Sequence, residues 1–145
     1  VALGKPVAMS RPIYETEADR ANEAAVMETL FERWRCQGLR MPKLCGVDYA
    51  LYRNGRLMAW VEIKCRSNPQ SQYDTYAVSE AKMLAGRALA EQTNLPFMLV
   101  VQWTDCLGWV QPERYEVRSG GRRDRADAQD IESMAHIPIA EFKLL

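Results

Sequence analysis

The chain is expected to fold as an α/β protein with a mixed central β-sheet flanked by helices. Residues 44–65 read as two antiparallel strands turning at Arg53-Asn54-Gly55. Residues 97–103, FMLVVQW, are a near-continuous apolar run, as in a strand covered on both faces. Two helical patterns, residues 17–36 and 78–92, precede and separate these strands.

In chain order, residues 1–13 hold Gly4, Pro6, Ser10 and Pro12 and read as an irregular arm. The first helix is expected over 17–36, capped by Thr16, with Glu17 and Asp19 at its positive end. Glu23, Met27, Leu30 and Trp34 fall on one stripe, so Glu23 is an acid in line with apolar residues. Residues 37–43, with Gly38 and Pro42, read as a loop, and residues 66–76 as a polar loop containing Asn68-Pro69. Ser79 is the expected cap of the second helix, whose small-residue face is Ala81, Leu84, Ala85, Ala88 and Leu89. Further strands are expected at 106–110 and 115–118. Residues 122–132 read as a charged loop or exposed helix, and 136–142 as an edge strand, because Pro138 argues against a central place. There is no repeat and no sign of a second domain, so residues 1–145 are read as one domain. The chain opens on Val1, so a start upstream is expected.

The hairpin places the chemistry. Side chains alternate along a strand, so Glu62 and Lys64 share a face. The odd positions Leu57, Ala59, Val61 and Ile63 are apolar, as largely are Cys45, Val47, Tyr49 and Leu51. One buried face groups odd with odd and leaves Asp48 with Met58, Trp60, Glu62 and Lys64 on the other. A two-residue Asn54-Gly55 loop would pair Arg53 with Arg56 and break this grouping. A three-residue loop with Gly55 left-handed pairs Tyr52 with Arg56 and restores it. Two acids and an amine then converge, a set that can hold a hard divalent ion and orient a water.

An acid on one strand followed by Glu62-Ile63-Lys64 on the next resembles the PD-(D/E)xK nuclease superfamily. Val47 stands where the family usually has proline. Between about Tyr14 and Trp103, the order of elements is similar to the restriction-endonuclease-like core of that superfamily, with one strand unassigned or lost. The resemblance implies a metal-dependent deoxyribonuclease using Mg2+, with Mn2+ as an alternative. It implies Asp48, Glu62 and the Ile63 backbone carbonyl as metal ligands, Lys64 as the catalytic lysine, and Glu23 at a second ion or a bound water. It also implies that Lys82, one turn into the second helix, faces the site.

Charge is consistent with a DNA partner. The whole chain is neutral, yet the stretch 33–66 carries eight bases against Asp48 and Glu62, a net of +6. A basic rim around central acids suits a phosphodiester plus metal. Arg40, Lys43 and Arg66 are candidate phosphate contacts, and Tyr73 and Tyr76 candidate base or phosphate contacts. The alternatives are a Holliday-junction resolvase acting as a homodimer, an inactive nucleic-acid-binding module, and an assembly protein with a chance motif. Cys36, Cys45, Cys65 and Cys106 have no zinc-like spacing and read as reduced thiols. No apolar run is long enough to span a bilayer and no secretory signal is evident. A cytoplasmic setting, in a bacterial cell or a phage-infected host, is the expectation. His136, the sole histidine, reads as structural.

Overall fold

A computed structural model describes residues 17–121 and 131–145. The expected arm, the Thr16 cap and most of the charged segment after Gly121 lie outside those residues. The elements are α1 (Glu17–Trp34), β1 (Gln37–Arg40), β2 (Tyr49–Arg53), β3 (Arg56–Cys65), β4 (Thr75–Ser79), α2 (Glu80–Thr93), β5 (Phe97–Gln102), β6 (Leu107–Val110), β7 (Glu116–Gly121), β8 (Ile131–Pro138) and β9 (Lys143–Leu144).

Six strands form one sheet in the order β1-β2-β3-β5-β6-β9. Only β3 and β5 run parallel, joined by the connection that carries α2, while the other four pairings are antiparallel. The sheet is therefore mixed, as the sequence predicts. A smaller antiparallel sheet, β4-β8-β7, packs with α2 on one face of it.

The large sheet separates two cores. On the α1 side, Val26, Met27 and Leu30 meet Tyr49, Leu51, Ala59, Val61, Ile63, Met98 and Val100. On the α2 side, Trp60, Phe97, Leu99 and Val101 meet Met83, Tyr76, Val78, Ala135 and Ile137. Alternation along β3 and β5 sends successive side chains to opposite cores, which is why 97–101 reads as an unbroken apolar run. The expectation of one buried hairpin face is corrected: Trp60, on the supposed open face, is 8% exposed beneath α2.

Four other expectations change. Gln37–Arg40 is strand β1, not loop, and fills the unassigned strand of the core. Val78 belongs to strand β4, so α2 begins at Glu80; Ser79 precedes it but its hydroxyl donates to Glu132 instead of capping. Residues 131–138 form the middle strand of the small sheet, with Pro138 at its end, where the missing N–H costs least. Finally, α2 buries Met83 and Gly86 while Leu84 is half exposed. Gly86 sits there because the Phe97 ring occupies the space: a Cβ would lie 2.4–2.5 Å from its atoms. Gly86→Ala should therefore destabilise the fold by about 1–3 kcal/mol from overpacking, despite alanine's better helix propensity. Urea unfolding reads this, and a stabilised variant would refute the close approach.

Candidate active site

The hairpin forms in an unexpected way. Asn54 (φ 51°) and Gly55 (φ 75°) make a two-residue turn of the twist that suits a hairpin, and Arg53 pairs with Arg56. The expected three-residue loop is corrected. Odd-with-odd pairing is nevertheless recovered one step later. Tyr52 pairs with Leu57 and Leu51 with Ala59, so Met58 is an extra residue bulged out of β3. From there Ala50 faces Trp60 and Tyr49 faces Val61. Arg53 donates to the carbonyls of Trp34 and Arg35, the C-terminal end of α1, and so ties the turn to that helix.

The expected first strand over 44–52 begins only at Tyr49, since residues 43–45 form a 3-10 turn. Gly46 follows with φ 99°, and a Cβ there would meet the Ala85 methyl at 2.9 Å, so glycine is required on both counts. Strand alternation breaks at Asp48. Val47 enters the α2-side core and Tyr49 the α1-side core. The main chain of Asp48 is still bonded on both sides, its N–H to the Val61 carbonyl and its carbonyl to the Met41 N–H. Its carboxylate Oδ2 accepts the Ile63 N–H at 2.7 Å. A strand's N–H points within the sheet, so the Asp48 side chain runs along the sheet and does not stand on the face with Glu62.

Glu62 stands on the α2 side and is 1% exposed. Its Oε2 lies 3.3 Å from Lys64 Nζ and 3.8 Å from Lys82 Nζ. Its Oε1 is buried and has no hydrogen-bond partner. Burial pushes the Glu62 carboxyl above the ordinary carboxylate range. The Asp48 charge adds to that rise, and Lys64 and Lys82 offset part of it. Asp48, Glu62, Lys64 and Lys82 are thus brought together, with the Ile63 backbone between the acids.

The other candidates lie further out. Glu23 bonds Arg40 at 2.8 Å, from a helix packed on the opposite side of the sheet to Glu62. Among the described residues no three His, Cys, Asp or Glu side chains cluster to hold an ion, so Glu23 does not complete such a group. Lys43 is exposed on the 3-10 turn and Arg66 just past β3. Tyr76 is buried against Trp103 and Phe142, with Arg66 over its ring at 4.7 Å, so it offers no open face to a base. Tyr73 is 61% exposed. Arg118, on β7, faces the same groove as Tyr73 and was not singled out by the sequence, where nothing links it to the motif. His136 Nδ1 lies 3.0 Å from Thr75 Oγ1 across the small sheet, a structural pairing. No described helix is long and apolar enough to cross a membrane.

A mixed sheet flanked by helices, with an acid beside E-x-K on its central hairpin, defines a PD-(D/E)xK nuclease, an enzyme class that hydrolyses phosphodiester bonds. The family comparison agrees. A family model described as "Phage putative PDDEXK endonuclease" matches residues 9–145, and the chain belongs to that family. Among solved structures, the chain is similar to Hjc of Archaeoglobus fulgidus, a Holliday junction resolvase from an archaeal hyperthermophile. That likeness has 12% identity, covers 79% of this chain and 96% of that one, and has a TM-score of 0.49. No curated protein matches.

Proposed function

We propose that the protein is a DNA endonuclease that requires a divalent cation, magnesium in the first instance and manganese as a substitute. The supporting observation is Glu62: a buried carboxylate with one bare oxygen, beside a second acid and two amines. A lone buried carboxylate oxygen is costly to leave unpaired. Hard oxygen donors from Asp48, Glu62 and the Ile63 carbonyl fit a hard cation of this kind. Such a cation, when bound, supplies Lewis acidity toward the phosphate and toward water.

The chain's own residues do the rest. Asp48 is held in place by the Ile63 N–H, so its free oxygen needs no reorganisation. Lys64, already 3.3 Å from Glu62, orients the attacking water or meets the charge that develops on the phosphate. Lys82 takes the same Glu62 oxygen from α2, which leaves Oε1 open for an ion. Glu23 enters this reading only by holding Arg40 near the hairpin. Arg40, Lys43 and Arg66 supply phosphate contacts that position the strand and carry no sequence information. The family's phage description supports DNA in an infected bacterial cytoplasm as the setting.

The test is incubation of plasmid and branched DNA with the protein, with magnesium and with chelator. Cutting with magnesium and none with chelator is expected. Equal cutting in chelator would rule out the metal requirement, and no cutting of any DNA form would favour a binding module.

A further inference from the structure

We propose that the groove just beyond Lys64 binds single-stranded DNA, and that the substrate therefore carries an unpaired stretch beside the scissile phosphate. This deepens the nuclease reading above and rests on it. Glu62 and Lys64 on β3 and Arg66 just past its end follow one another at every second residue, a step of about 7 Å. The Arg66 N–H still bonds the Gln102 carbonyl at 2.8 Å, so Arg66 continues the row. It forms one wall of a groove of about 860 Å3, whose other lining includes Tyr73, Thr75, Tyr76, Arg118 and His136. The groove thus opens where a strand leaving the acids would run.

Its size selects the ligand. A space of this volume is in the range that encloses a small molecule, hence a nucleotide or two. It does not enclose a duplex, whose major groove alone is about 12 Å wide. Its chemistry selects stacking. Tyr73 is the exposed aromatic on the rim, its hydroxyl accepting from Gln72 Nε2 at 3.1 Å. The loop that carries it is pinned: Gln70 N–H to Asp105 at 3.0 Å, Thr104 N–H to the Asn68 carbonyl at 3.1 Å, and Ile139 N–H to the Asp74 carbonyl at 2.9 Å. An aromatic face ordered before binding loses little entropy when a base covers it.

Charge plays a smaller part. Arg66 is fixed over the Tyr76 ring and donates to the Ala77 carbonyl, while Arg118 is already paired with Glu116 at 2.9 Å and Asp74 adds a negative group. Affinity in the groove should therefore come mainly from base stacking and tolerate any sequence. A loop tyrosine that merely packs on the surface would show none of this.

Fluorescence anisotropy in chelator separates the two. Binding of a short labelled single strand is compared with that of a blunt duplex of the same length, for the parent, Tyr73→Ala and Tyr73→Trp. Tyr73→Ala should weaken the single strand about 5- to 100-fold, change the duplex by less than about twofold, and leave the unfolding midpoint in place. Tyr73→Trp should retain single-strand binding. Equal losses on both DNAs, or no loss on either, would overturn the proposal. A cleavage assay on the same DNAs keeps the underlying reading separate. If Asp48→Asn still cuts while the Tyr73 effect stands, the groove is supported and the assigned cutting site is the part that fails.

Discussion

Asp48→Asn and Glu62→Gln should each lower magnesium-dependent cleavage by about a hundred- to a thousandfold or more, the cost of losing a charge that the transition state requires. DNA binding should persist, because the bases around the hairpin are untouched. The two losses arise differently. Asp48 keeps one oxygen on the Ile63 N–H, and an amide can keep that bond, so Asp48→Asn removes charge while preserving geometry. Glu62→Gln removes the anion on which both lysines converge. Lys64→Met should differ again: magnesium should still bind while cleavage falls steeply. Lys82→Met should fall between Lys64→Met and the parent, since Lys82 lies further from the shared oxygen. If either acid variant cuts like the parent, the chemistry lies elsewhere.

The second large effect is on stability, and its sign follows from the burial of Glu62. The folded state raises that carboxyl above its unfolded value. Glu62 is therefore neutral in both states below about pH 4, where its protonation favours folding in full. That contribution is lost as pH rises through the raised folded value, because the interior must then hold a charge. Without metal, the parent should lose stability across this window and Glu62→Gln should not. At neutral pH without metal the variant should be the more stable of the two. Magnesium should reverse the order, since it binds only the folded parent and stabilises it according to its excess over the dissociation constant. Thermal unfolding at several pH values, with magnesium and with chelator, measures all of this. Parallel curves for parent and variant would remove the buried charge from the account.

What was legible in the sequence was what side-chain period records. The α1 stripe, the row from Leu57 to Ile63 and the run from Phe97 to Val101 specify two elements of one sheet and the helix on it. Glu62 and Lys64 share a face for the same reason. What escaped was whatever period does not record. Strand β1 is short, lies at an edge and contains Gly38, so it carries no alternation. Strand β4 runs straight into α2, and Val78 serves the core from a strand as well as it would from a helix. The packed face of α2 is hidden in the sequence because Gly86 has no side chain, yet it marks the tightest contact, while apolar Leu84 faces water. Both irregularities of the hairpin, at Met58 and at Asp48, are backbone events that leave no mark on composition.

The Met58 bulge has a consequence for how this hairpin tolerates a change of length. The turn and the Glu62–Lys64 pair lie on the same strand, and in a regular hairpin a one-residue slip would rotate every later side chain to the other face. Here one spare residue sits between them. A residue added at the tip can be balanced by flattening the bulge, leaving Ala50 opposite Trp60 and Tyr49 opposite Val61 as before. The tip can thus change in length at Asn54-Gly55 while Arg53 still ties it to the C-terminal end of α1. Glu62 and Lys64 keep their orientation through such changes, as an instrument keeps its zero behind a slack coupling.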